Sequence, residues 1–501
     1  MKKILSLILA VLMILSLCAC GKEAGNGSGG GDNAGEVGVF KVGYHAVNIT
    51  PVKQGVPMNG YGNAKERLST GFLTYIYAIS IAVTDAEGNT AILTSVDIAA
   101  VGVETIEEVR QWASATYKIP KENIVISAIH QHSCPDGYVK DNEASAAFLA
   151  QLTKGLKDSM TKALEDRAPA EMYINTATTD ALSFVRHYIA NDPAGSIVGD
   201  NYNDAIGSQY GYKKHESESD KEMRMIKFTR EGDKKDIILV NFQAHPHMGA
   251  GAKSTDIHAD WPGVMRETVA KELNCDVIYF SGAGGNLNST SRISEENVTD
   301  CDFRKHGEKA AQYVIDAESS YEKVATGKVQ AKEMKISCEA DHSMDHLYEQ
   351  AKIVHNARSI SLAEANKVLK NYPKLHSVYH ATAVVDKYQK GKTVDTTIGA
   401  IVFGDVAFTV HNYEMFDTNG MELRAGSLGH ENEANYEEAD RLANPYKMTI
   451  IATIANSNGG YIPSRLGYTN GGYSTDITDF APGTGEKLVG DYLRILNELH
   501  G

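Results

Sequence analysis

The chain switches repeatedly between two hydrophobic rhythms. Tyr75 to Thr84 alternates apolar and polar residues, Asp85-Ala86-Glu87-Gly88-Asn89 breaks the run, and Thr90 to Asp97 resumes it. Alternation on both sides of a Gly-containing turn predicts a β-hairpin. A first strand is predicted over Phe40 to Pro51. Over Glu104 to Tyr117 the period changes: Ile106, Val109 and Ala113 fall at helical spacing, and Pro120 ends the segment. The β-branched run Ile124-Val125-Ile126 then predicts a strand, and Glu143 to Asp166 a long helix. Asp236 to Gln243 is apolar almost without interruption, the mark of a strand covered on both faces and so central in its sheet. A helix follows from Asp260, placed as its cap with Pro262 in the first turn, to Leu273; a strand comes next at Val277 to Ser281. Asp345 to Tyr379 is helix-rich, Ile398–Phe403 and Val406–Val410 flank a Gly404-Asp405 turn, Met448 to Ala455 is a buried strand, and Gly485 to His500 a closing helix. The expected fold is mixed α/β (α+β): one large domain over 39–501, with mixed or antiparallel sheets flanked by helices and no internal repeat.

The N-terminus changes the picture. Lys2 and Lys3 precede an apolar run, Ile4 to Leu17, that ends in Leu17-Cys18-Ala19-Cys20-Gly21. A basic start, a short apolar core and small residues predict a secretory signal over 1–19. The last cysteine of this lipobox-like run, Cys20, is then the lipidated first residue of an exported, membrane-anchored bacterial lipoprotein. Residues 20–38 are rich in Gly, Ser and Asn and form a tether that cannot pack. A net charge of −15 without basic blocks excludes nucleic acid and an anionic membrane surface as partners. Cys134, Cys275, Cys301 and Cys338 remain at irregular spacing without a C-x-x-C motif, and an exported location permits disulfides without specifying any.

Candidate chemistry sits where strands end. His130 and His132 follow Ile124-Val125-Ile126; in extended chain, residues two apart share a face, so both imidazoles can enter one pocket. Cys134 is either a further ligand or a small buried residue. His245-Pro246-His247 follows the apolar strand, and Gly282-Ala283-Gly284-Gly285-Asn286-Leu287-Asn288-Ser289 follows the next one. That glycine-rich loop lacks G-x-G-x-x-G spacing and is not a dinucleotide site. Asp97, at its strand end, either lines the pocket or serves as a structural hydrogen-bonding aspartate.

Ala128-Ile129-His130-Gln131-His132-Ser133-Cys134-Pro135 resembles the A-x-H-x-H-S-G-P segment of neutral/alkaline ceramidases, zinc amidases that split ceramide, with Cys134 in place of glycine. Asn48-Ile49-Thr50-Pro51, Ala244-His245-Pro246-His247, His411-Asn412-Tyr413-Glu414 and Asn456 to Pro463 resemble further elements in the family's order. The resemblance implies one Zn²⁺ per chain on His130, His245, Glu414 and Tyr461, with His132, Arg186 and Tyr473 facing a lipid or other small amide substrate. It puts Asn288 where the family carries a serine treated as nucleophile, so attack by zinc-activated water is expected, with Asn288 as a hydrogen-bonding group. His247 stands where a hydroxyl residue is usual. The family's additional C-terminal immunoglobulin-like domain is expected to be missing. Two other readings follow from the departures: a zinc hydrolase of another amide or ester at the cell envelope, and a catalytically altered binding lipoprotein.

Overall fold

Two sheets packed face to face, each covered by helices on its outer side, account for nearly all the buried apolar residues. A computed structural model describes residues 39–61, 66–199, 204–249, 253–426 and 442–501. The signal segment, Cys20 and the tether lie outside these residues. The residues from Val39 onward belong to one compact unit, and none of the described helices is long and apolar enough to cross a membrane.

The larger sheet contains β1 (Phe40–Asn48), β2 (Tyr77–Thr84), β3 (Thr90–Val96), β4 (Ile124–Ala128), β5 (Ala168–Thr178), β6 (Glu222–Arg230), β7 (Ile237–Phe242) and β8 (Asp276–Ser281). Their spatial order is β8-β7-β6-β5-β1-β2-β3-β4, and Glu322–Val324 adds to β5. The predicted hairpin is β2–β3. Most pairs are antiparallel, but β7–β8 and β3–β4 are parallel. In the smaller sheet β9 (Val329–Glu339), β10 (Thr393–Phe403) and β11 (Val406–His411) run antiparallel in turn, and β12 (Met448–Ala452) pairs in parallel with β11.

Alternation decides which face meets what. Ile79, Ile81 and Val83 of β2 face the smaller sheet's Ile401, Phe403, Phe408 and Ile450, whereas Ala78 and Ala82 face helices. Those helices are α1 (Val103–Tyr117) and α2 (Glu143–Glu165), which place Ile106, Val109, Leu152 and Leu156 on the sheet. Helices α3 (Asp260–Leu273) and α4 (Phe303–Asp316) cover β7 and β8 with Trp261, Met265 and Val314. The smaller sheet is covered by α7 (Thr484–His500), whose Leu488, Val489 and Leu493 meet Ile398 and Ile451; two helices before it matter below, α5 (Val378–Gln389) and α6 (Tyr473–Ile477). Burying some ten such side chains contributes about 1.5–3 kcal/mol each before the entropy of ordering them.

Two local expectations need correction, and the reading left open at Asp97 is decided. The strand carrying the histidine pair stops at Ala128, and His130 sits at φ +63°, in the left-handed region. Its main-chain N–H still finds an acceptor, Ile98 O, at 3.1 Å. Asp260 does not cap α3: Ala259 is the cap residue, and Asp260 is the first helical residue, at φ +52°, accepting from Gly249 N at 2.9 Å and Trp261 N at 2.8 Å. Asp97 is the structural hydrogen-bonding aspartate of the two alternatives and is not among the residues lining the pocket. Its buried carboxylate receives both Arg266 guanidinium nitrogens, at 2.7 and 2.6 Å, and Tyr77 N at 2.9 Å. The four cysteines are free thiols.

Candidate metal centre and pocket

The chemistry-bearing loops leave the C-terminal ends of strands that each have a parallel neighbour: β4 leads to His130, β7 to His245, β8 to Asn288, β11 to Glu414 and β12 to Tyr461. Crevices at such strand ends collect functional side chains from separate parts of a chain. Here two parts of the main chain are also paired directly, because Glu414–Met415 runs parallel to Tyr461–Ile462 and Glu414 N donates to Gly460 O at 2.7 Å.

The two histidines are held in the same way. His130 Nδ1 lies 2.9 Å from Ala99 O, and His245 Nδ1 lies 2.8 Å from Leu287 O. A carbonyl can only accept, so each Nδ1 carries a proton, and Nε2 of each ring is left to face the site. Both Nε2 atoms face one carboxylate oxygen, Glu414 Oε2, at 3.3 Å from His130 and 2.9 Å from His245. Two ring nitrogens and a carboxylate oxygen this close in a buried site share a cation between them, either a proton or a metal ion. Burial alone would push the Glu414 carboxyl up, but His130 and His245 outweigh it and hold it well below the usual range, so Glu414 is anionic. Imidazoles whose second nitrogen is anchored on main-chain carbonyls, set around a carboxylate, fit a zinc-type ion.

His132 belongs to the same cluster: donor atoms of His130, His132 and His245 all lie within 4.8 Å of one another. Its Nε2 is buried and has no hydrogen-bond partner among the described residues. Burial, and then the neighbouring His130, His247 and His245, keep it neutral by moving its pKa well down. Gly60 makes room for this ring, since a Cβ there, at φ +113°, would stand 2.6 Å from His132 Cβ. The pair therefore meets through a turn, with ring centroids 5.0 Å apart, rather than through strand alternation.

Around these groups lies a cavity of about 540 Å³, lined by His130, His132, His245, His247, Glu414, Arg186, Tyr461 and Tyr473, and also by Tyr61, Tyr138, Tyr379 and Arg292. Tyr461 and Tyr473 meet edge to face with centroids 5.7 Å apart, and the Arg186 guanidinium lies 5.4 Å from the Tyr461 ring centroid. Arg186 also donates to Gly285 O and Ser474 Oγ, which ties the glycine loop to α6. Burial, and then the Glu414 charge, raise the Tyr461 phenol well above its ordinary pKa.

The sequence profile described as neutral/alkaline non-lysosomal ceramidase, N-terminal, matches residues 40–423. The chain belongs to this family. Neutral ceramidase 2 of Arabidopsis thaliana is 25% identical over 203 residues, which cover 38% of this chain and 24% of that protein. The crystal structure of neutral ceramidase from Pseudomonas aeruginosa superposes with a TM-score of 0.66 at 16% identity, over 92% of this chain and 75% of that one. A ceramidase complexed with C2 gives a TM-score of 0.64 at 15% identity, with the same coverage. At these identities the two structures establish the ceramidase fold.

Within that fold the departures have definite surroundings. Cys134 is no ligand: its buried thiol donates to Gln131 O at 3.1 Å and receives Ala99 N at 3.1 Å, and burial pushes its pKa up to about 12. Asn288 is half-buried and pairs with Phe184, and its Oδ1 lies 3.2 Å from Nε2 of His247, which lines the cavity. Ser289 Oγ is buried and donates to His245 O at 2.7 Å. Composition and periodicity carry no signal for Tyr61, Tyr138, Tyr379 or Arg292, which come from separate loops and helices.

Proposed function

We propose that this chain is a zinc-dependent hydrolase of a carbon–nitrogen bond in a ceramide-like N-acyl substrate, attached to the outer face of the cell membrane through Cys20. The observation that carries the reading is the pair of Nδ1-anchored imidazoles turned onto one buried carboxylate. His130, His245 and Glu414 would hold the ion, with Tyr461 as fourth ligand. The chemistry such an ion would supply is a bound water with its pKa lowered to about 7 and a polarised scissile carbonyl.

The protein supplies the remainder. Arg186 and Tyr473 donate to the carbonyl oxygen as it gains charge, and His132, kept neutral, donates beside them. Preorganised donors of this kind are each worth about 3–4 kcal/mol of barrier. Asn288 orients His247 at the cavity wall. An amide side chain is no nucleophile, and Ser289 Oγ is committed to His245 O; hydrolysis therefore proceeds without an acyl-enzyme, and no burst precedes steady turnover. The cavity wall gives some weight to a second substrate class. Its aliphatic members are Ala99, Ala100 and Ile477, against five tyrosines and Arg292, a lining that suits a short or polar amide as well as a long alkyl chain.

Zinc content measured on purified protein and on His130→Ala and His245→Ala tests the ligand set, since loss of one ligand from so small a set removes the ion. Stoichiometric zinc in both variants would overturn it. Hydrolysis of N-acylsphingosine, compared with N-acetylated sugars and aminoacyl amides, decides the substrate. Inactivity on all of them with zinc bound would leave a binding lipoprotein.

A further inference from the structure

A second group repeats the arrangement seen at Glu414, with two imidazoles turned onto one oxygen of a mostly buried carboxylate. His376 Nδ1 lies 2.8 Å and His380 Nδ1 3.8 Å from Asp476 Oδ2. One donor atom from each residue falls within 4.8 Å of the other two, and the two rings are 4.9 Å apart. The histidines straddle Ser377, which caps α5 by accepting His380 N at 2.9 Å. Asp476 comes from α6, almost a hundred residues later. The main-chain N–H of His376 donates to His380 Nδ1 at 3.2 Å, which marks Nδ1 as the bare nitrogen, and this nitrogen is the one nearer Asp476. Lys387 does not compete for the carboxylate: its Nζ is paired with Asp341 Oδ2 at 2.8 Å and otherwise reaches the Asp476 main-chain carbonyl at 3.2 Å. The His376 side chain is 52% exposed, whereas those of His380 and Asp476 are 0% and 7% exposed, so an ion has a route from solvent to a site whose inner ligands are shielded.

We propose that His376, His380 and Asp476 form a second zinc site, separate from the centre at Glu414. Two imidazole nitrogens and one carboxylate oxygen, completed by water on the exposed side, are a zinc donor set. Binding exchanges the His376–Asp476 hydrogen bond and the main-chain bond to His380 for three metal–ligand contacts, and the His376 proton moves to Nε2 of the same half-exposed ring. The site joins α5 to α6. Tyr379 of α5 and Tyr473 and Ile477 of α6 line the cavity, and Ser474 of α6 accepts from Arg186. An ion held there pins one wall of the pocket against the helix behind it.

The test is a zinc count on the full chain after saturation with Zn²⁺ and dialysis against metal-free buffer. Wild-type protein should retain two equivalents, His376→Ala one, His130→Ala one, and the double variant none. His376 is half-exposed, so its replacement leaves the core intact, and Asp476→Asn, which keeps the size of the side chain, should give the same single equivalent. A wild-type count of one that His376→Ala leaves at one would show an ordinary His–Asp pair. Two equivalents retained in both His376→Ala and Asp476→Asn would place the second ion elsewhere. Either result overturns the proposal. An empty Glu414 centre would be seen separately, as a wild-type count of one that His130→Ala leaves at one and His376→Ala takes to zero.

Discussion

His306 should make the fold acid-sensitive by a calculable amount. It lies in α4, fully buried, with its ring centroid 5.6 Å from that of Trp261 and Nδ1 only 3.4 Å from Thr299 Oγ1. Burial, and then the Lys309 charge, lower its pKa to about 3. In the unfolded chain the ordinary value is about 6.5. A depressed folded pKa means that the unfolded state takes up the proton first. The contribution is therefore complete above pH about 6.5 and is lost as pH falls from there toward about 3. At pH 5 the gap of roughly 1.5 units, at 1.36 kcal/mol per unit, costs about 2 kcal/mol. His306→Phe removes that proton uptake. Whatever the replacement does to packing is the same at both pH values and cancels in the comparison. Urea unfolding at pH 7.5 and pH 5, on chelator-treated protein so that the clustered pocket histidines behave alike in both samples, should show the wild type losing about 2 kcal/mol more than the variant. Parallel losses, within about 0.5 kcal/mol, would mean that His306 is already charged or hydrated in the folded state, and the reasoning would fail.

Asp97→Asn leaves Arg266 as an unpaired buried cation and should cost about 3–5 kcal/mol of stability, while the folded fraction keeps wild-type kcat/KM; a selective loss of activity would return Asp97 to the pocket. Glu414→Gln should abolish both zinc retention and turnover, read by metal analysis and amide hydrolysis on the same sample. Asn288→Ser should leave zinc content unchanged and move kcat by less than roughly tenfold, about 1.4 kcal/mol; a trapped acyl adduct on Ser289 in the wild type would refute direct attack by water. Cys20→Ala should move the protein from the detergent phase to the aqueous phase, and equal partitioning of the two would refute lipidation.

Much of this protein is legible in one dimension because its signals are local. The alternation of Tyr77–Thr84 and Thr90–Val96, the helical spacing of Ile106, Val109 and Ala113, and the unbroken apolar run before His245 each report the burial of their own segment, and the segments formed as expected. The histidine, glutamate and tyrosine elements were readable because they resemble a family's ordered motifs.

What tertiary structure decided concerns pairs far apart in the chain. His130 and His132 come together through a left-handed turn that the β-branched run before them does not announce, and the turn is held by Ile98 and Ala99 from another strand end. Asp97 is structural because Arg266, on a helix 169 residues away, reaches both its oxygens. Cys134 is excluded as a ligand by a main-chain N–H and a carbonyl that claim its sulfur. His376, in a helix-rich stretch, and His380, just past its end, form a cluster only because Asp476, 100 residues beyond His376, packs against them. Periodicity records whether a position is buried. The partner that meets it there depends on strand order and helix packing, and only the folded chain supplies that.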